Sequence, residues 1–166
     1  MEIEEFIGLV HLTEKLGLIT PPIAEEVLAH TRSVNGNFID PKILVQNNHL
    51  TAWQIGKIIA GDGTMLLFNG YQLLSPIGLG NLGRTYKAKK IDTGEIVALK
   101  VLRKRHTSNN AETLKFLRQG EILNDINHPN IVKTLDLFPG TKNIPPYLAL
   151  EWVKGGSVYD WLEIKT

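Results

Sequence analysis

The chain has 166 residues, 43% of them hydrophobic, and 18 Lys and Arg against 17 Asp and Glu, a formal charge of +1. That near-neutral balance leaves no electrostatic footprint for nucleic acid or an anionic membrane, and the length suits one domain plus an appendage. The absence of cysteine excludes disulfides and thiolate chemistry and fits a cytoplasmic location. The start, Met1-Glu2-Ile3-Glu4-Glu5, is acidic where a secretory signal would be basic. No apolar run approaches the ~18 residues of a membrane-spanning helix.

Residues 1–66 read as a small all-α leader of short helices. Phe6, Leu9, Val10, Leu12 and Leu16 form one apolar stripe, stopped by Gly17. Thr20 ahead of Pro21 and Pro22 predicts a second helix that buries Ile23, Val27 and Leu28 and fades near Ser33-Val34-Asn35-Gly36. Asp40-Pro41 opens a third. Thr51 and Gln54 make a capping box for a fourth, Ala52 to Ala60, before Gly61-Asp62-Gly63 breaks the pattern. The two helices around Asn47-Asn48-His49-Leu50 invite a helix-turn-helix reading. Only Lys42 and Lys57 supply positive charge there, too little for the several phosphate contacts that DNA binding needs. A packing or docking module is expected instead, with no nucleic-acid partner.

The stretch that organises the rest runs from Leu74 to Lys100. Gly78, Gly80 and Gly83 stand at GxGxxG spacing, where backbone can turn sharply and approach phosphate oxygens without Cβ clashes. Dinucleotide-binding folds use the same spacing but follow it with a helix. Here Thr85-Tyr86-Lys87-Ala88-Lys89-Lys90, a turn at Asp92-Thr93-Gly94-Glu95 and the β-rich Val97-Ala98-Leu99-Lys100 follow. Strand, glycine turn, strand, hairpin and strand ending in lysine is the protein-kinase arrangement. From about residue 71 onward the chain resembles the small, nucleotide-binding lobe of serine/threonine protein kinases. The expected fold is therefore α+β: a five-stranded antiparallel sheet with one main helix over residues 67–166, preceded by the leader at 1–66. The leader is similar to the helical segment ahead of the kinase domain in planctomycete-type bacterial kinases, through Leu50-Thr51-Ala52-Trp53-Gln54 and Phe68-Asn69-Gly70-Tyr71.

Strand alternation puts Ala98 and Lys100 on one face, about 6.5–7 Å apart, so one residue can touch a flat base while the other reaches phosphates. The resemblance implies ATP as the ligand, with Ile77 and Thr85 roofing adenine; Thr85 replaces the usual valine. A helix is predicted over Ala111 to Ile126, stopped at Asn127-His128-Pro129-Asn130, with an apolar stripe through Phe116, Leu123 and Ile126. Gln119 lies on that stripe, nineteen residues after Lys100, where the family holds a glutamate that ion-pairs with the lysine. Glu121 cannot substitute, since two residues turn a helix by about 200°. His128 reads as a helix-stop residue, and no metal-ligand spacing occurs among the five histidines.

Two more strands are predicted, Ile131 to Phe138 and Tyr147 to Leu150. By resemblance Leu150 is the gatekeeper, and Glu151 and Val153 offer backbone groups to adenine. Ser157-Val158-Tyr159-Asp160-Trp161-Leu162 resembles the start of the next helix. The sequence holds no His-Arg-Asp and no Asp-Phe-Gly, so the family's catalytic base and magnesium-holding carboxylate are missing. The chain is thus expected to be a truncated kinase fragment that binds ATP and takes magnesium and a protein substrate only with the large lobe. The alternative is a non-catalytic module, pseudokinase-like or a helical docking domain.

Overall fold

The computed structural model describes residues 1–31, 37–158 and 162. Contacts divide the chain into two compact units, residues 1–79 with 85–95 and residues 80–84 with 96–166. The expected fading of the second helix at Ser33–Gly36 and the middle of the last expected helix, Tyr159–Trp161, lie outside the described residues.

In the first unit, α1 (Ile3–Lys15) buries Phe6, Leu9, Val10 and Thr13. Leu12, expected on that stripe, is instead 41% exposed. At about 100° per residue Thr13 returns beneath Phe6, whereas Leu12 falls well off the face. The buried Thr13 hydroxyl is satisfied by donating to the Val10 carbonyl at 2.7 Å. Helix α2 (Pro21–Thr31) starts at its prolines and buries Ala24, Val27 and Thr31, leaving Ile23 and Leu28 half-buried. The third helix, α3 (Ile43–Gln46), is a single turn. In α4 (Ala52–Ile59) the expected capping box is formed: the Gln54 N–H donates to Thr51 Oγ1 at 3.2 Å, and the Thr51 N–H to Gln54 Oε1 at 2.8 Å. Phe6, Val10, Leu44 and Ile58 share one core with Leu66.

A 3-10 turn (Gly63–Leu66) leads into β1 (Leu67–Phe68), which pairs antiparallel with β2 (Tyr71–Leu79) in the register Leu67↔Gln72 and Phe68↔Tyr71. Asn69 (φ 44°) and Gly70 (φ 85°) join them, the positive-φ pair of a two-residue hairpin loop. This hairpin corrects the expected strand count. The antiparallel sheet has six strands, not five, in the order β1-β2-β3-β4-β6-β5. The other strands are β3 (Gly83–Lys90), β4 (Ile96–Leu102), β5 (Thr134–Phe138) and β6 (Tyr147–Glu151).

In the second unit, β6 lies between β4 and β5, antiparallel to both. Strand β5 begins at Thr134 rather than at the expected Ile131. Ile131 N–H closes a turn on the His128 carbonyl at 3.1 Å, and Lys133 N–H is taken by the Glu151 carboxylate at 2.8 Å. Helix α5 (Asn110–Asn124) is capped by Asn109, whose Oδ1 accepts from the Ala111 and Glu112 N–H groups. It ends two residues short of the expected Ile126. His128 Nδ1 accepts from the Asn130 N–H at 3.1 Å, the local bond of a chain-stop residue. Phe116 packs with Leu102 and Leu148, and Gly120 meets the same surface. A Cβ on Gly120 would stand 2.3 Å from Leu148 Cδ2 and 3.0 Å from Leu137 Cδ1. Only glycine lets the helix lie this close to the sheet.

Candidate nucleotide site

Strand β4 carries the central residue. Val97 and Leu99 turn into the core, while Ala98 and Lys100 are half-buried on the opposite face, as a pleat of period two requires. Leu148 sits opposite Lys100, and Leu150 opposite Ala98.

Three groups fix the Lys100 side chain. Its Nζ donates to Gln119 Oε1 at 3.3 Å and stands 5.8 Å from the centroid of the Phe116 ring. Its stem runs against Gly83, where a Cβ would meet Lys100 Cγ at 3.1 Å, Lys100 Cε at 3.2 Å and the Val101 carbonyl at 3.2 Å. The glycine turn closes on itself through a 2.9 Å bond from the Gly80 N–H to the Gly83 carbonyl. Its Leu82 carbonyl accepts from the Arg103 N–H, also at 2.9 Å. None of Gly78, Gly80 and Gly83 has positive φ. The turn therefore uses missing Cβ atoms, at Gly83 above all, rather than the left-handed backbone that glycine permits.

Gln119 departs from its expected burial. It is exposed, because α5 fully buries only Phe116 and Gly120, and three residues of helix leave Gln119 about 60° off Phe116 on the side away from Gly120. It still meets Lys100 at the rim. Glu121 points elsewhere, paired with Arg118 at 3.4 Å. Among the described residues Lys100 has no ion-pair partner, so its charge is held by an amide and a ring face only. Phe116 was legible merely as core. Its place three residues before Gln119, on the same side of the helix, is the signal that it also faces the lysine.

Gly80, Gly83, Lys100 and Gln119 are thus brought together in one unit. A hollow of about 700 Å³ runs along α5, lined by Leu82, Leu114, Leu117, Arg118, Gln119 and Ile122; of the expected site residues it holds Gln119 but not Lys100 or the glycines. A second hollow, about 470 Å³ beside Pro139 and Pro146, holds none of the expected site residues. Leu150 is half-buried next to Ala98, and Glu151 is the last residue of β6. The Glu151 N–H is already given to the Lys133 carbonyl at 2.9 Å, so that donor is not open to adenine. Val153 lies past the strand and is 62% exposed. Ile77, Gly78 and Thr85 belong to the other unit, where Thr85 Cβ would stand 3.9 Å from a Cβ on Gly78.

A lysine at the end of the third strand of a glycine-turn hairpin, facing a helix residue nineteen positions later, is a kinase small-lobe geometry. The protein kinase domain family matches residues 71–166, more than half of the chain. The chain belongs to the protein kinase family. Within that family, a RAC family serine/threonine-protein kinase homolog of Dictyostelium discoideum is 34% identical over 93 residues, covering 56% of this chain. Those residues are 20% of that kinase, so the chain spans about a fifth of its length. The kinase match begins at the first residue of β2 and includes every site residue named above.

Proposed function

We propose that residues 67–166 are the ATP-binding lobe of a serine/threonine protein kinase and that residues 1–66 are its helical leader, of the planctomycete bacterial type. The arrangement of Lys100 carries this reading. A cation held by Gln119 and Phe116 without a carboxylate, its stem pressed on a turn that a Cβ would fill, is built to face an anion. Phosphates then lie at Gly80, Gly83 and Lys100, and the base lies by Ala98, Leu150 and the backbone of Glu151 and Val153. Ile77, Gly78 and Thr85 cover the nucleotide by family likeness. ATP brings the transferable phosphoryl group; these residues bind and orient it.

The residues present do not fit a magnesium site. No grouping of three or more His, Asp or Glu side chains occurs among the described residues, and Asp-Phe-Gly is absent from the sequence. No step is assigned to a metal or a base here, and action on protein hydroxyls belongs to the reading of a whole kinase. A cytoplasmic setting is part of the same proposal. Among the described residues no helix is long and apolar enough to cross a membrane.

Titration of the chain with a fluorescent ATP analogue tests the reading. Saturable binding is expected, weakened about tenfold or more in Lys100→Ala, as loss of a charge-assisted contact implies. Absence of saturable binding, or equal affinity in the variant, overturns it. Gln119 in the glutamate position favours the alternative, a non-catalytic module, and absence of binding would point there.

A further inference from the structure

The capping box of α4 does more than close a helix. In an ordinary box the two side chains satisfy each other's backbone N–H groups. Here each has a second bond, made to strand β2. Thr51 Oγ1, while accepting from Gln54, donates to the Leu74 carbonyl at 2.6 Å. Gln54 Oε1 accepts from Thr51, and its Nε2 donates to the Leu73 carbonyl at 2.8 Å. Gln54 is 1% exposed, so neither bond is replaceable by water without opening the contact. Two further contacts join the same partners. Gln72 Nε2 donates to the Leu18 carbonyl at 3.3 Å, and the Trp53 ring lies 6.0 Å from that of Tyr86 on β3.

The position of this clasp matters. Strand β1 pairs with β2 only as far as Gln72. From Leu73 onward β2 is without that partner, and the Leu73 and Leu74 carbonyls accept from the capping-box side chains of α4 instead. A bare strand edge frays and recruits other chains, and covering it is a recognised remedy. Leu73 and Leu74 stand immediately ahead of Ser75-Pro76-Ile77-Gly78-Leu79, the part of β2 that runs into the glycine turn. At about 3.3 Å per residue, a strand fixed at Leu74 is fixed within about 10 Å of Ile77.

We infer that the leader is a brace for the glycine-rich hairpin, and that Thr51 and Gln54 are positioning residues for the nucleotide site. They touch no ligand. They hold the strand that presents Ile77 and Gly78. The effect on nucleotide affinity rests on the ATP-binding reading above; the brace itself does not.

Hydrogen exchange on the full chain tests it, with Gln54→Glu as the main variant. Glutamate keeps the acceptor for the Thr51 N–H, so the helix cap survives, but loses the donor to Leu73 and sets a carboxylate against that carbonyl. Exchange in residues 72–79 should rise about tenfold or more, as the loss of one or two buried bonds allows. Residues 97–101 and 147–151 should exchange as before. Thr51→Ser, which keeps the hydroxyl, should leave both regions unchanged. Unaltered exchange at 72–79, or an equal rise at 97–101, overturns the brace. Should Gln54→Glu unfold the leader, Thr51→Val, which removes the bond to Leu74 together with the cap on the Gln54 N–H, is compared at 72–79 against 97–101 instead. Half-saturation by the ATP analogue should require about threefold or more ligand in Gln54→Glu. Raised local exchange with unchanged affinity overturns the positioning role. A parent chain that binds no analogue refutes the nucleotide reading, and the brace is then decided by exchange alone.

Discussion

Lys100 Nζ meets Gln119 Oε1 at 3.3 Å, across nineteen residues of sequence, where the family places a lysine and a glutamate. The contact survives the change of residue; the charge attraction does not. Restoring it in Gln119→Glu should tighten ATP-analogue binding or raise nucleotide-dependent thermal stabilisation. Because Gln119 is exposed, solvent screening limits the gain to about 1 kcal/mol or less. The gain should vanish in the Lys100→Ala background, since the two side chains act as one unit. A gain that persists without Lys100 would show that the carboxylate acts elsewhere.

Gly120 supports that contact from one residue away. Gly120→Ala should stabilise α5 by about 1 kcal/mol through helix propensity. Against this stands a methyl 2.3 Å from Leu148 Cδ2, inside a core where Leu148 is fully buried. Overpacking of that kind costs about 1–3 kcal/mol, so the net effect runs from neutral to destabilising by about 2 kcal/mol. Urea denaturation of the two chains measures it. A more stable variant would mean that the leucine tips yield freely.

Much of the site was legible because its parts are local or periodic. The pleat placed Ala98 and Lys100 on one face, and the likeness to kinases paired Gln119 with the lysine, whereas helical angle alone had set Gln119 on the buried stripe. What escaped depends on tertiary context. That α5 lies close enough to expose Gln119 at its rim follows from Gly120, whose missing side chain is visible in sequence but whose neighbour Leu148 is not. Strand β1 was overlooked although Asn69-Gly70 carries a hairpin signal, because Leu67-Phe68 is too short to show a period. The capping box was readable as a helix start. Its second bonds, to carbonyls nineteen and twenty-three residues on, were not.

The 166-residue chain with magnesium and ATP should phosphorylate neither itself nor generic protein substrates. It contains no His-Arg-Asp and no Asp-Phe-Gly, and phosphoryl transfer needs both a positioned base and a metal-held phosphate. Radiolabel transfer is the measurement, with Lys100→Ala as the control. Incorporation above that control would require a base and a metal ligand from residues not assigned here.

Gly80 and Gly83 of the turn should respond unequally to alanine. At Gly80 an added Cβ would lie 3.4 Å from the Gly83 carbonyl, near ordinary contact, and the backbone there has no positive φ. Gly80→Ala should therefore change stability by about 0.5 kcal/mol or less. At Gly83 the methyl would press on Lys100 Cγ and Cε and on the Val101 carbonyl, all within 3.2 Å. The carbonyl belongs to β4 and cannot move without disturbing the β4–β6 ladder, so the flexible lysine stem must give way. Moving that stem draws Nζ away from Gln119 and from the phosphate position. Gly83→Ala should thus lower ATP-analogue affinity about tenfold while costing roughly 1 kcal/mol of stability, the scale of mild overpacking. Thermal melts and analogue titrations on the two variants separate these effects. Equal losses of affinity at both glycines would show that the turn, rather than the lysine stem, sets the site.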